Sequence, residues 1–421
     1  MDFLKEKLFF PVAWYFRIFA QIRLRLWHPQ IVVITGSSGK TTLLHLVESQ
    51  IGNVAKYSHH ANSSFGIPFD ILGLHREAYT YIEWVRLFLL APLKVFMPVP
   101  RENLYVVEAD CDRPGEGTFL AELLKPDITL WISSGKTHSM NFDHVLAQKK
   151  FATTEEAIAY EFGQFLRHTS KISFIDGDTP HMVDQIKHAS AKVISLKKKH
   201  FLNGYHVSEK GVTFEIENKK YIFPYLLPEE VSYSIAMTLE LCRYLQLPFD
   251  ASFSHFHVPP GRSSFFPGKK DITIIDSCYN ANVDSMKTML AMYKHLPGKH
   301  KWAVIGDLME QGNQAQEEHE KVAQMLLTMP FEKLIIYGKN GEKYIHPIVF
   351  NKYSNTAIVI TEPKEVLSYL QGHLNGGETV LFKGGRLLEG VIAQLLADPK
   401  DTEKLCRQDA FWERKRKQAG L

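Results

Sequence analysis

Hydrophobic positions along the chain fall into two successive strand and helix alternations separated by a short irregular stretch. In the first, strand-like runs at 31–35 (IVVIT), 103–108 (NLYVVE), 127–132 (DITLWI) and 171–175 are interleaved with helical patterns such as 116–124 and 154–167. This rhythm predicts a parallel α/β sheet whose ligand sits at the carboxyl ends of the strands. Residues 201–224 switch to short alternating runs and predict a small antiparallel ribbon before a helix at 229–246. The Pro/Gly-rich stretch 248–271 reads as a linker. A second alternation follows, with strands at 272–276, 301–305, 332–336 and 378–382 and helices at 283–295, 315–328, 363–374 and 386–396. The expected fold class is therefore α/β: a central P-loop ATPase-type parallel sheet domain (30–255) and a C-terminal Rossmann-like α/β domain (256–421), preceded by an apolar and amphipathic segment (1–29).

That segment runs LFFPVAWYFRIFAQIRLRLW over 8–27, and Pro11, Arg17, Arg23 and Arg25 interrupt it before it could span a bilayer. Two placements stay open: a helix packed on the body of the protein, or peripheral contact with a membrane, aromatics at the acyl boundary and arginines among anionic head groups. A second apolar stretch, Tyr79 to Val99, carries Glu83, Arg86 and Lys94 and reads as a docked helix pair. No signal-peptide cleavage pattern follows the N-terminal segment.

Composition narrows the class without naming it. The chain has 421 residues, 45% hydrophobic and 23% charged, which is ordinary for a globular protein of two or three domains. Lys and Arg number 49 against 46 Asp and Glu, a net charge of +3, so no global field for nucleic acid is expected. Cys111, Cys242, Cys278 and Cys406 form no C-x-x-C pair. That argues against a zinc site or a disulfide framework and fits a reducing, cytoplasmic setting. The basic run Arg414 to Lys417 reads as a solvated helix end.

Chemistry concentrates where the first strand breaks into Thr35-Gly36-Ser37-Ser38-Gly39-Lys40-Thr41-Thr42. Glycines let backbone N–H groups close on phosphate oxygens, Lys40 brings a positive charge to the β/γ-phosphates, and the Thr41 hydroxyl suits Mg²⁺. The turn is shorter than the general Walker pattern, since Ile34 stands where its first glycine would be. The next two strands end at Glu108 and just before His138, both candidate Mg²⁺ ligands beside the loop. Arg262, in Pro260-Gly261-Arg262, offers a cation at the hinge that could reach phosphate. Asp276 ends the first strand of the second domain and could bond a ribose hydroxyl or cap the helix starting near Asn282.

These motifs together resemble the Mur ligases. TGSSGKTT, Asn62 to Pro68 (N-x-x-x-G-I-P), Glu108 with Arg113-Pro114-Gly115-Glu116, His138, PGR at 260–262, Tyr279-Asn280-Ala281-Asn282 and Gly306-Asp307-Leu308-Met309-Glu310-Gln311-Gly312 follow the family's order and spacing over roughly 30–395. YNAN and GDLMEQG look like the branch that adds D-alanyl-D-alanine to a UDP-muramoyl tripeptide. The resemblance implies an ATP-dependent, Mg²⁺-requiring carboxylate–amine ligase of peptidoglycan precursor synthesis that works through an acyl phosphate. It implies nucleotide contacts from Gly36 to Thr42 and from Arg262, Asp276 and Asn282, and catalytic roles for Lys40, Glu108 and His138. The partners implied are a small acyl acceptor and an amino acid or dipeptide, handled by a cytoplasmic monomer that could sit at the inner face of the membrane. The chain departs from the family in three respects. The usual N-terminal UDP-binding domain has no counterpart in 1–29, Phe162 stands where the carbamylated lysine is expected, with Lys149 or Lys150 as candidate substitutes, and Ser63, Ser277 and Val283 replace family residues while the family's Asn near Tyr233 is missing. A Mur-type ligase with another acceptor or amine, or a nucleotide-binding scaffold without turnover, remains as an alternative.

Overall fold

The computed structural model describes residues 2–59, 61–76, 80–354 and 356–421. Met1 and Tyr79, the ends of the two apolar stretches, lie outside the described residues. The chain forms two compact units, one of residues 1–135, 144–201 and 233–256, the other of 136–143, 202–232 and 257–421.

The first unit is built on strands β1 (Gln30–Thr35), β2 (Ala55–Tyr57), β3 (Leu104–Ala109), β4 (Ile128–Trp131), β5 (Ile172–Asp176) and β6 (Lys192–Leu196). Their order is β2-β3-β1-β4-β5-β6, and every pairing is parallel. Ile31 to Ile34 are buried along β1, as expected of a strand covered on both faces. Thr35 pairs with Ala109 on one side and Trp131 on the other, so β1, β3 and β4 end at one level. That shared edge is where the sequence places its phosphate loop.

Helix α1 (Asp2–Trp27) is docked on this unit, the first of the two placements left open by the sequence. It continues through Pro11. Phe16 and Ala20 are fully buried, Arg17 pairs with Glu122 at 2.8 Å, and the Trp27 indole donates to the Glu102 carbonyl at 2.7 Å. After α2 (Lys40–Ile51) and α3 (Gly66–Leu72), the second apolar stretch forms one helix, α4 (Tyr81–Lys94), rather than a pair. The Tyr15 hydroxyl donates to the Phe88 carbonyl, and the buried Arg23 guanidinium serves the carbonyls of Lys94, Met97 and Pro98. Among the described residues no helix is long and apolar enough to cross a membrane. Helix α5 (Glu116–Leu124) follows β3.

In the second unit, β7 (Leu202–Ser208), β8 (Gly211–Ile216) and β9 (Lys219–Phe223) make the expected antiparallel ribbon. The larger sheet contains β10 (Ser264–Pro267), β11 (Thr273–Ser277), β12 (Lys301–Gly306), β13 (Lys333–Tyr337), β14 (Ala357–Ile360) and β15 (Thr379–Lys383), in the order β10-β11-β15-β12-β13-β14. All its pairings are parallel except β10 with β11. Strand β10 lies inside the stretch read as linker. As an edge strand it tolerates Pro267, which a central strand would not. Ile274, Val304, Val380, Phe382 and Val391 are fully buried in the core of this unit.

Candidate functional site

Between β1 and α2 the chain turns on two glycines in the left-handed half of backbone space, Gly36 (φ 135°) and Gly39 (φ 81°). At Gly36 a Cβ would lie 2.7 Å from the Ser133 carbonyl oxygen, so the loop can lie against the segment after β4 only without a side chain there. Ser133 knits the two together: its hydroxyl accepts from the Ser38 N–H at 2.9 Å and donates to the Ser38 carbonyl at 2.8 Å. The Ser37 hydroxyl accepts from the Gly135 N–H at 2.7 Å. Gly39 begins α2 and carries no side-chain cap, so the helix N-terminus presents backbone amides to an anion.

Lys40 is buried, and its ammonium donates to the Gly36 carbonyl at 2.6 Å and meets Asp110 at 2.7 Å. Burial pulls its pKa down, but Asp110, Glu108 and Asp112 outweigh that and hold it above the ordinary lysine value. The Thr41 hydroxyl donates to the Glu108 carboxylate at 2.9 Å. Two hard oxygen donors thus stand together beside the lysine, a donor set that fits Mg²⁺, which takes few protein oxygens and fills its remaining positions with phosphate and water.

The loop after β3 is fixed from the side of Asn62 to Pro68. The Asp110 N–H donates to the Asn62 carbonyl at 2.7 Å, and buried Glu116 accepts from the Ser64 N–H at 3.0 Å and hydroxyl at 2.6 Å. Glu161 accepts from the N–H groups of Gly115 and Gly117 at 2.8 and 2.9 Å, and burial raises its pKa to about 7 against those two bonds. Phe162, next to it, is fully buried and packs its ring 6.3 Å from that of Trp131. Lys149 and Lys150 are exposed.

The other sequence-derived residues lie in the second unit. His138 takes up a left-handed conformation (φ 50°), and its Nδ1 is 2.6 Å from the Glu310 carboxylate, which that bond holds below the usual glutamate range. Asn282 caps the helix Val283–His295 in a reciprocal pair with Ser285, so the cap considered for Asp276 belongs to Asn282. Asp276 is fully buried; one of its oxygens accepts from the Cys278 N–H, and Oδ2 has no hydrogen-bond partner among the described residues. Burial raises its pKa. Arg262 lies over the Tyr279 ring, 4.2 Å from the centroid. Lys383, where β15 runs beside β11, is also buried, and desolvation lowers its pKa to about 8.

Asp110, Ser133 and Glu161 are contributors to which sequence reasoning gave no role, and Glu310 entered it only as part of the GDLMEQG motif. Asp110 carried a legible signal, a second acid two residues past Glu108 at a strand end. Ser133 and Glu161 act through contacts between segments distant in the chain, which spacing cannot reveal.

Comparison with known proteins bears on this arrangement. Residues 261–386 match the family model described as Mur ligase, glutamate ligase domain. The UDP-N-acetylmuramoyl-tripeptide–D-alanyl-D-alanine ligase of Bacillus subtilis (strain 168) is 23% identical over 392 residues, 88% of this chain and 76% of that protein. The ligase of the same name from Escherichia coli (strain K12) is 21% identical over 87% of this chain and 76% of its own length. Among solved structures, the MurF ligase from Thermotoga maritima in complex with ADP superposes with a TM-score of 0.73 at 21% identity, covering 93% of this chain and 84% of that one. MurF from Acinetobacter baumannii gives 0.70 at 16% identity, covering 91% and 80%. The chain has the Mur ligase fold and resembles the tripeptide–D-alanyl-D-alanine branch along most of its length.

Proposed function

We propose that this protein is an ATP-dependent ligase that joins D-alanyl-D-alanine to the terminal carboxylate of a UDP-muramoyl tripeptide, making a peptidoglycan precursor. The observation that carries the reading is the phosphate loop: Lys40, buried and charged against Asp110, beside Thr41 and Glu108 in mutual contact. The substrates proposed are those of the tripeptide–D-alanyl-D-alanine ligases that the chain resembles.

The substrate carboxylate attacks the terminal phosphorus of ATP, and ADP leaves. The amine then attacks the resulting acyl phosphate, and collapse of the tetrahedral adduct forms the amide and releases phosphate. Lys40 offsets the charge that develops on the transferred phosphoryl group, and the backbone amides of Gly39 and Lys40 at the start of α2 orient it. Thr41 and Glu108 would hold Mg²⁺, with His138 a further candidate ligand; the ion, when bound, neutralises charge shared between the phosphates. Arg262, Asp276 and Asn282 are assigned to the nucleotide. No side-chain nucleophile is required. The reading makes the protein a cytoplasmic monomer with residues 1–27 in peripheral contact with the inner face of the membrane.

The test is acceptor-dependent turnover. Purified protein with ATP and Mg²⁺ should release ADP and phosphate only when both the UDP-muramoyl tripeptide and D-alanyl-D-alanine are supplied. Hydrolysis indifferent to both substrates would refute it.

A further inference from the structure

Helices α1 and α4 lie side by side and run in the same direction: Phe16 packs 6.2 Å from Trp84 and 5.1 Å from Phe88, and seven residues on, Arg23 reaches the carbonyls that end α4. Each buries one face against the first unit, Phe16, Ala20 and Leu24 from α1 and Leu87 and Ala91 from α4. The opposite faces are apolar and open. On α1, Trp14, Ile18, Ile22 and Leu26 recur every fourth residue and are 38–53% exposed. On α4 and the turn after it, Ile82, Val85, Leu89, Leu93 and Phe96 are 58–84% exposed. A soluble monomer rarely leaves so many large apolar side chains together in water.

Over residues 8–27 of α1 and over α4, the exposed charge on these faces is basic. Residues 8–27 contain no acid, and the one acid of α4, Glu83, is turned inward at 7% exposure. Arg25, Arg86 and Arg101 are exposed around the patch. Apolar stripes with aromatic ends and exposed arginines beside them match the boundary between acyl chains and anionic head groups.

We propose that α1 and α4 together form one docking face for an anionic lipid surface, seating the enzyme on the bilayer without crossing it. This rests on the peripheral contact assigned to residues 1–27 and extends it: α4 supplies the larger apolar area, and neither helix suffices alone. The ligase chemistry is not involved, since the face lies on the two helices and none of the phosphate-loop side chains belongs to it.

Flotation of the full chain with vesicles of pure phosphatidylcholine or of phosphatidylcholine with phosphatidylglycerol tests the idea. Binding should favour the anionic vesicles and weaken with salt. Two variants separate the helices, Ile18→Glu with Ile22→Glu and Leu89→Glu with Leu93→Glu, each checked for unchanged melting temperature and ADP binding. Both should lower the partition coefficient at least tenfold. Loss with the α1 pair but none with the α4 pair would overturn the joint face while leaving contact by residues 1–27 standing. No vesicle binding by the unaltered chain would overturn both. A dimer in lipid-free solution that the α4 pair dissociates, without vesicle binding, would assign the face to a second copy instead.

Discussion

Thr41 donates its hydroxyl to Glu108 across 2.9 Å, joining the first turn of α2 to the end of β3. Without a cation between them, the hydroxyl satisfies the carboxylate. With Mg²⁺ bound, both can turn oxygen lone pairs to it. Glu108→Gln keeps the hydrogen bond and removes the charge. The Mg²⁺ concentration for half-maximal turnover should rise at least roughly tenfold, with folding stability nearly unchanged, as a Mg²⁺ titration of ADP release would read.

Lys40 and Asp110 are a buried pair, so their two roles can be separated. Lys40→Ala should reduce turnover by roughly a hundredfold or more through the lost charge at the phosphoryl group. It should also cost about 3 kcal/mol of stability by stranding Asp110. Adding Asp110→Asn should restore much of the stability and none of the activity. A denaturant series on both variants beside the turnover assay checks this. Restored activity in the double variant would show that Lys40 serves structure alone.

Gly36→Ala places a methyl 2.7 Å from the Ser133 carbonyl oxygen at a φ of 135°. The loop must move to admit it. Isothermal titration should show ATP binding weakened by roughly tenfold or more, on the scale of about 1–3 kcal/mol for a strained backbone position. Gly73→Ala is the control, because a Cβ there meets nothing within 4 Å and any loss comes from its φ of 64° alone.

Glu161 gives a pH signature. Its folded pKa of about 7 lies above the ordinary glutamate value of 4.5, so between the two the folded state holds a proton that the unfolded chain has released. Its contribution is complete below the unfolded pKa and is lost as pH rises through the folded one. The whole effect is on the order of 3 kcal/mol at most. Glu116, Asp176 and Asp276 are shifted the same way and contribute to the same decline. Urea unfolding of Glu161→Gln between pH 5 and about 8 should therefore show a shallower fall with pH than the unaltered chain. An equal slope would remove Glu161 as the source.

The central strands of both sheets were legible because they are continuous apolar runs, whereas the edge strands β2, β6 and β14 were not foreseen; the phosphate loop was legible because its chemistry is confined to eight consecutive residues. What escaped the sequence was long-range. Strand β10 was hidden because Ser264–Pro267 sits in a Pro/Gly-rich stretch and becomes a strand only by pairing with β11. Glu161 was hidden behind Phe162: the position expected to carry a modified lysine is a core aromatic, and the neighbouring carboxylate is turned to the N-terminus of α5. For α1, periodicity showed an apolar helix but not which face would be covered. The buried Arg23 that ties it to the end of α4 resembles any solvated arginine until the carbonyls it serves are in place.

The most direct test of the central claim follows oxygen. The UDP-muramoyl tripeptide, its terminal carboxylate enriched in heavy oxygen, is incubated with the enzyme, ATP, Mg²⁺ and D-alanyl-D-alanine, and the phosphate released is weighed by mass spectrometry. Transfer through an acyl phosphate predicts one heavy oxygen in each phosphate, matched by one new amide. Phosphate carrying only solvent or ATP oxygen would contradict it.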